Sequence, residues 1–307
     1  MSLIVVGSMA FDAIETPFGK SDRIVGGAAT YIAWSASNFT RPIHQVSVVG
    51  GDFPKEELKM LEARGVSMEG VQVKENEKSF FWSGRYHMDM NTRDTLETQL
   101  NVLAGFHPVV PDSYQDCEFL MLGNLLPSVQ MSVINQLKTR PKLVVMDTMN
   151  FWMETAMADL EKLLKKVDVL LVNDAEARQL SGQYSLVSAA RAIMEMGPKY
   201  LIIKKGEHGA LLFYEEKVFF APALPLEVVF DPTGAGDTFA GGFIGHIAKT
   251  KDTSFENMKT AIIVGSAMAS FCVEKFGVSR LKELTRQDID QRMQRFKELT
   301  KFDIEIV

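Results

Sequence analysis

Asp231-Pro232-Thr233-Gly234-Ala235-Gly236-Asp237-Thr238-Phe239-Ala240-Gly241-Gly242-Phe243 sets a carboxylate just past a glycine-rich bend and then begins a helix. Gly234 and Gly236 lack the Cβ atoms that would stop a backbone from curling tightly against a ligand. The first N–H groups of a helix have no partner within it and converge on one point, which the macrodipole makes favourable for an anion. A terminal phosphate suits such a point. Asp237 beside it should remain ionised unless something desolvates it, and is placed to deprotonate a hydroxyl attacking phosphorus. Ala240, Gly241, Gly242 and Gly245, with Phe239, Phe243 and Ile247 at four-residue spacing, also suit a helix lying close to its neighbours. Packing accounts for the second half of the run, but not for two aspartates and Thr233 around the bend.

Around this run, 307 residues suffice for one large core, or a core with a smaller appendage. A chain that is 46% hydrophobic and 23% charged has the balance of a globular protein. The formal net charge of −6 argues against nonspecific binding to nucleic acid or an anionic membrane. A nucleotide's phosphates must therefore be held by local devices: helix ends, a few cations, a metal. Cys117 and Cys272 lie far apart in apolar stretches and read as small core hydrophobes of an intracellular enzyme. No apolar run of membrane-spanning length occurs and the chain opens directly on a strand, so a cytoplasmic protein is expected.

Short Val-, Ile- and Leu-rich runs alternate with helical patterns, which signals βα units and a mainly parallel sheet. Strands are predicted over 3–7, 45–49, 119–122, 143–147, 169–172 and 200–204, with hairpin strands over 210–214 and 217–221. Helices are predicted over 28–38, 55–64, 129–138, 153–165, 174–181, 186–196, 238–248, 255–275 and 285–299. Two segments, at about 12–25 and 71–100, alternate apolar and polar residues instead, and are expected to pair into a small sheet inserted in one α/β domain spanning 1–307.

Asp12 falls just beyond the first strand's carboxyl end, where open α/β sheets bind ligands, and can accept from two hydroxyls at once. A plain turn aspartate is the alternative. Asn173 suits a helix N-cap, and Glu176, three residues on, shares its face. In the second inserted segment, Phe81, Trp82 and Tyr86 give more aromatic area than a solvent-facing ribbon needs. Arg85, Asn91, Thr92 and Arg93 there read as a solvated strand face, or else as arginines for an anionic group on a substrate. Gly19-Lys20-Ser21 is not a P-loop, because Ile14 stands where its first glycine belongs, and no Gly-x-Gly-x-x-Gly follows the first strand.

Val5-Val6-Gly7-Ser8-Met9-Ala10-Phe11-Asp12, Gly26-Gly27-Ala28-Ala29-Thr30, Gly51-Asp52-Phe53, Asn173-Asp174-Ala175-Glu176 and Lys205-Gly206-Glu207-His208-Gly209 precede the 231–243 run in that order. Together they make the chain resemble the ribokinase-like (PfkB) carbohydrate kinases over nearly its whole length. The resemblance implies a three-layer α/β fold: a mainly parallel central sheet flanked by helices, plus a small β-sheet lid that often forms a homodimer contact. It implies transfer of the γ-phosphate of ATP, with Mg²⁺, to a hydroxyl of a sugar or sugar-like molecule. A nucleoside kinase of the same fold and a non-catalytic sugar-binding sensor are the alternatives.

Under the resemblance Asp237 is the general base and the amides of Gly234, Ala235 and Gly236 form an anion hole. Asp12, Gly26, Gly27 and Tyr31 meet the acceptor. Asn173, Glu176, Lys204, Gly206, Gly209 and Thr233 lie on the nucleotide side, with Glu176 organising Mg²⁺ through water. An adenine pocket is implied around Ala267, Ser270, Phe271 and Gly277. Asp231 and Thr233 would hold a monovalent cation such as K⁺, or else a hydrogen-bond network at the helix start. Many relatives carry Asn where this chain has Tyr31, and a stackable ring there favours an acceptor with a flat or apolar part.

Overall fold

Leu3-Ile4-Val5-Val6 and Leu143-Val144-Val145-Met146 are apolar at every position, so a strand made from either must be covered on both faces. A computed structural model, which describes residues 2–301, places them in such a sheet. Leu3, Val5, Leu143, Val145, Val169 and Leu171 join one core cluster, and Ile4, Val6, Val144, Met146, Leu170 and Val172 join another. The alternation is the two-residue period of a strand, with apolar helices packed on each side.

The strands are β1 (Leu3–Val6), β2 (Ala10–Thr16), β3 (Gly19–Gly26), β4 (Ile43–Gly50), β5 (Val66–Lys74), β6 (Phe80–Tyr86) and β7 (Arg93–Gln99). They continue with β8 (Phe119–Leu122), β9 (Leu143–Asp147), β10 (Val169–Asn173), β11 (Tyr200–Lys204), β12 (Ala210–Tyr214) and β13 (Lys217–Ala221). A nine-stranded sheet runs in the order β13-β12-β11-β10-β9-β8-β1-β4-β5. It is parallel from β11 through β5, and β12 and β13 add to it as an antiparallel hairpin. Because β1 lies between β4 and β8, the chain winds outward from it in both directions. The crevice at the carboxyl ends of the strands is where ligands bind in such sheets.

A second sheet, β3-β2-β6-β7, is the expected lid. Its limits need one correction. Residues 71–74 belong to β5, which pairs parallel with β4 at the edge of the large sheet, so the later lid segment starts at β6. The Gly51-Asp52-Phe53 turn anchors this sheet. Asp52 Oδ1 accepts the N–H and O–H of Ser79, each at 2.8 Å, and Oδ2 accepts from Arg23 of β3 at 2.5 Å.

The helix predicted over 153–165 is two, Asn150–Thr155 and Met157–Leu164, broken at Ala156. The helix of the glycine run spans Ala235–Thr250. Its glycines let it approach its neighbours as the spacing predicted. A Cβ on Gly241 would come 2.5 Å from Ile32 O, and one on Gly242 2.9 Å from Met268 Cγ. Cys117 and Cys272 are free and buried. Among the described residues no helix is long and apolar enough to cross a membrane.

Candidate active site

The bend before Ala235 is held in a conformation that glycine favours. Gly234 has φ 74°, and a Cβ there would lie 2.4 Å from the Tyr31 ring. Asp231, wholly buried, fastens the bend from below. Its Oδ1 accepts the Thr233 N–H and its Oδ2 the Gly277 N–H, both at 2.9 Å. Of the two roles open to Asp231, cation ligand or network at the helix start, this geometry fills the second.

The free amides of this helix start differ by one residue from the expected set. The Ala235 N–H closes the turn onto Pro232 C=O at 3.2 Å, whereas those of Gly234, Gly236 and Asp237 find no acceptor among the described residues. The unfilled donors at this helix start are therefore 234, 236 and 237.

Three parallel strands deliver charge to the same place. Asp147, Asn173 and Lys204 are the last residues of β9, β10 and β11, and Asn173 lies opposite Lys204 in register. Lys204 Nζ meets Asp147 Oδ2 at 2.8 Å with both side chains largely buried. The same ammonium would lie 3.0 Å from a Cβ on Gly236, so it sits against the helix start. Asn173 and Glu176 form a capping box: Glu176 N–H donates to Asn173 Oδ1, and Asn173 N–H to Glu176 Oε2, each at 2.7 Å. Glu176 Oε1 is left without a protein donor among the described residues.

Burial and mutual repulsion raise these acids. Asp237, half-buried, is pushed up to about 7 by burial and then by Asp147, against the pull of Lys204 and Arg93. Glu176 is pushed up to about 7 by burial, with Lys204 opposing it and Asp147 adding to it. Asp12, with 5% exposure, rises to about 8 through burial and the charges of Asp231 and Asp237. The helix start alone would have kept Asp237 ionised, but desolvation counters it. Such a concentration of acids, with one oxygen of Glu176 unpaired, fits Mg²⁺, which needs only one or two carboxylates and keeps most of its water.

On the acceptor side Asp12 pairs in register with Trp82 of β6 and Ile24 of β3, and Tyr86 with Arg93 of β7, so these side chains share the lid's inner face. Gly26 and Gly27 make room for this arrangement. A Cβ on Gly26 would fall 1.8 Å from Asp12 Oδ2, and Gly27, at φ 92°, would meet Ser8 O at 2.6 Å. Tyr31 departs from expectation. It is fully buried with its ring against Gly234, so no face remains for a substrate to stack on. Its hydroxyl is buried as well and has no protein partner among the described residues.

The nucleotide side is only partly assembled as expected. Gly206, at φ 55°, turns the chain after β11 close to Asn91 of the lid, but Gly209 serves the β-hairpin, where a Cβ would strike Ala221 O at 2.1 Å. Gly277 lies against Ile24 of β3 and spends its N–H on Asp231. Ala267 is enclosed by Leu224 and Phe296 and presents no surface; Leu226, Ile263 and Met293, packed around it, remain partly exposed. Thr233 Oγ1–H donates to the Tyr86 hydroxyl at 3.2 Å.

A family model for pfkB family carbohydrate kinases matches residues 2–284. The chain belongs to that family. It is accordingly a phosphotransferase that acts on a hydroxyl group and uses ATP. A cytidine kinase of Thermococcus kodakarensis is 29% identical over 282 residues, covering 90% of this chain and 98% of the relative. A nucleoside kinase of Methanothermobacter thermautotrophicus is 26% identical over 304 residues, covering 90% of each. Among solved structures, a Burkholderia thailandensis nucleoside kinase with inosine superposes with TM-score 0.76 at 23% identity, covering 95% of this chain and 98% of that one. A putative ribokinase II of E. coli with ATP and Mg²⁺ gives 0.77 at 19% identity, covering 96% and 99%. The fold of this pfkB-family kinase is therefore ribokinase-like.

Two groups at the kinase's site escaped the sequence. Asp147 ended a predicted strand, the position at which a carboxylate merits scrutiny in an α/β sheet. Tyr86 was read as lid surface, but it is 5% exposed and its hydroxyl accepts from Thr233; Arg93, opposite it in β7, is exposed, as the solvated-face reading expected. Arg85 also faces outward and pairs with Glu15 at 2.9 Å.

Proposed function

We propose that this kinase transfers the γ-phosphate of ATP to a hydroxyl of a nucleoside, with Asp237 as the general base. The observation that carries the mechanism is Asp237 at a helix start where three amides lack acceptors, in one cleft with Asp12. Asp12 orients the acceptor by accepting from its hydroxyls. Asp237 takes the proton of the attacking hydroxyl, and its raised pKa brings it close to the operating range of a base. The amides of Gly234, Gly236 and Asp237, with Lys204 behind them, hold the oxygens of the phosphoryl group as charge gathers there. Glu176 would hold Mg²⁺ through water, and the ion would neutralise phosphate charge. K⁺ has no part in the proposal: Asp231 is wholly buried and its carboxylate already holds the bend through the N–H groups of Thr233 and Gly277.

The nucleoside acceptor is supported by the two relatives matched over nine-tenths of this chain, whose names are cytidine kinase and nucleoside kinase. A ribokinase of Staphylococcus aureus matches only 38% of it. A free sugar is the second reading, supported by the Asp12 and Gly26-Gly27 arrangement. ADP release across a panel of nucleosides and free sugars decides between them. Cytidine and other nucleosides are expected to give the larger kcat/KM, and a preference for ribose over every nucleoside would refute the assignment. A sensor would need neither base nor unfilled amides, and it would bind acceptors without releasing ADP.

In the same proposal two copies meet through the lid, where Leu96 and Leu100 of and beside β7 are about half exposed. Sedimentation should give twice the monomer mass for the wild type and a lighter species for Leu96→Glu; a monomeric wild type removes the contact. The activity belongs in the cytoplasm, where ATP is held and thiols such as Cys117 and Cys272 stay reduced.

A further inference from the structure

Phe81 and Trp82 are neighbours on β6 with different employment. Phe81 pairs in register with Phe11 and packs against the core. Trp82 points to the opposite face and joins none of the core clusters among the described residues. It is partly exposed, on the face of the lid that also carries Asp12 and Tyr86. Tyr86 reaches Thr233 from that face at 3.2 Å, so the face looks onto the bend before Ala235.

The indole of Trp82 is fixed in place. Its six-membered ring lies over Gly84, where a Cβ would fall 2.1 Å from Cη2 and 2.4 Å from Cζ2. Any other residue at 84 would push the ring off the strand. The ring's Nε1–H donates to Thr95 Oγ1 of β7 at 3.3 Å. Gly84 and Thr95 are themselves paired in register, so strand geometry sets both supports. One glycine and one hydroxyl thus hold an aromatic surface along the lid and use its only donor within the lid. What remains of the ring has no polar atom to offer and recognises a partner through area and stacking.

Asp12 is the residue paired with Trp82, one strand spacing of about 5 Å away. It can accept from two hydroxyls at once, while the ring beside it offers an apolar surface. A nucleoside carries the matching features a few atoms apart: adjacent ribose hydroxyls and a planar base. A free sugar has only the first.

We propose that Trp82 is the specificity-determining residue of the lid: the base of the acceptor stacks on its indole while Asp12 holds the ribose hydroxyls. The proposal rests on the nucleoside kinase reading set out above and adds the side chain that separates nucleosides from free sugars. Stacking takes no part in proton or phosphoryl transfer, so it acts on acceptor binding. It also tolerates different bases, since each has a π-face.

Trp82→Ala is expected to raise the KM for cytidine and other nucleosides about 10-fold or more, the scale of one lost base–aromatic stack. Both kcat and the KM for ATP should stay within about threefold, and Trp82→Phe should recover most of the nucleoside affinity. Fluorescence gives a readout without turnover. Cytidine added to the wild type without ATP should quench tryptophan emission, and Trp82→Phe, which keeps Trp34 and Trp152, should lose most of that quench. A nucleoside KM within about twofold of wild type in Trp82→Ala, or an undiminished quench in Trp82→Phe, overturns the stacking and leaves the nucleoside kinase standing. If kcat and the KM for ATP worsen in step with the KM for nucleosides, the indole holds the lid together rather than a base, and the stacking is likewise overturned. A wild type that turns over ribose in preference to every nucleoside, with no quench by cytidine, overturns the nucleoside reading and the role of Trp82 together.

Discussion

Asp237→Asn is expected to cut turnover by about 10²–10⁴-fold while ATP binding stays near the wild-type value, since the change removes a base and little shape. The pH dependence follows from the same side chain. The wild-type kcat/KM should rise with pH through a midpoint near 7, where Asp237 loses its proton. The folded carboxyl titrates above the ordinary value of 3.8, so the native state binds more protons than the unfolded chain between the two values. Stability of the ligand-free protein must then fall as pH rises through that window. Glu176 and Asp12, raised to about 7 and about 8, act with the same sign. Asp237→Asn should therefore melt higher than wild type at pH 8 and show a shallower decline of Tm with pH, a stabilised but inactive protein. Near-wild-type turnover would remove Asp237 from its role. A wild-type Tm that climbs with pH would remove the physical account of its pKa.

Lys204→Met should be the most damaging change to the fold at this site. It leaves Asp147, 5% exposed, with a Thr148 N–H at 2.9 Å as its remaining donor. Removing one partner of a buried pair costs on the order of 3–5 kcal/mol, because the other charge stays buried. A lowered denaturant midpoint with unchanged slope is the expected result. Adding Asp147→Asn should return most of that stability, since the stranded charge is gone, but not turnover, since the cation beside Gly236 is still missing. A single variant with the wild-type midpoint would show that the pair carries no such role.

Much of the fold was legible because it is written locally. The predominantly apolar runs at 119–122, 143–147 and 200–204, the last two ending on Asp147 and Lys204, are observed as strands with those bounds. The helix over 174–181 starts at its predicted cap, Asn173. The break at Ala156 was not legible, since an alanine between two apolar helical patterns carries no stop signal. The lid's limit at 71 was also missed, because β5 alternates as a lid strand would and only its pairing with β4 assigns it to the large sheet.

Within the site, glycines were found more readily than their purposes. Gly26, Gly234 and Gly277 were all read as touching ligands, yet each has a neighbour that a Cβ would strike: Asp12, Tyr31 and Ile24. A glycine pattern reports that something lies close without reporting what. Tyr31 was misplaced for a related reason, since residue type alone does not give the direction of a side chain.

By itself, then, the sequence determined the strands, the glycine bend with Asp237 at a helix start, and the family they imply, because periodicity, turn chemistry and helix capping act over a few neighbouring residues. The tertiary structure alone decided that Lys204 meets Asp147 across 57 positions of chain, that Thr233 meets Tyr86 across 147, and that Tyr31 supports the bend from within. Such contacts depend on strand order and register, which are settled by how the whole chain buries its apolar surface.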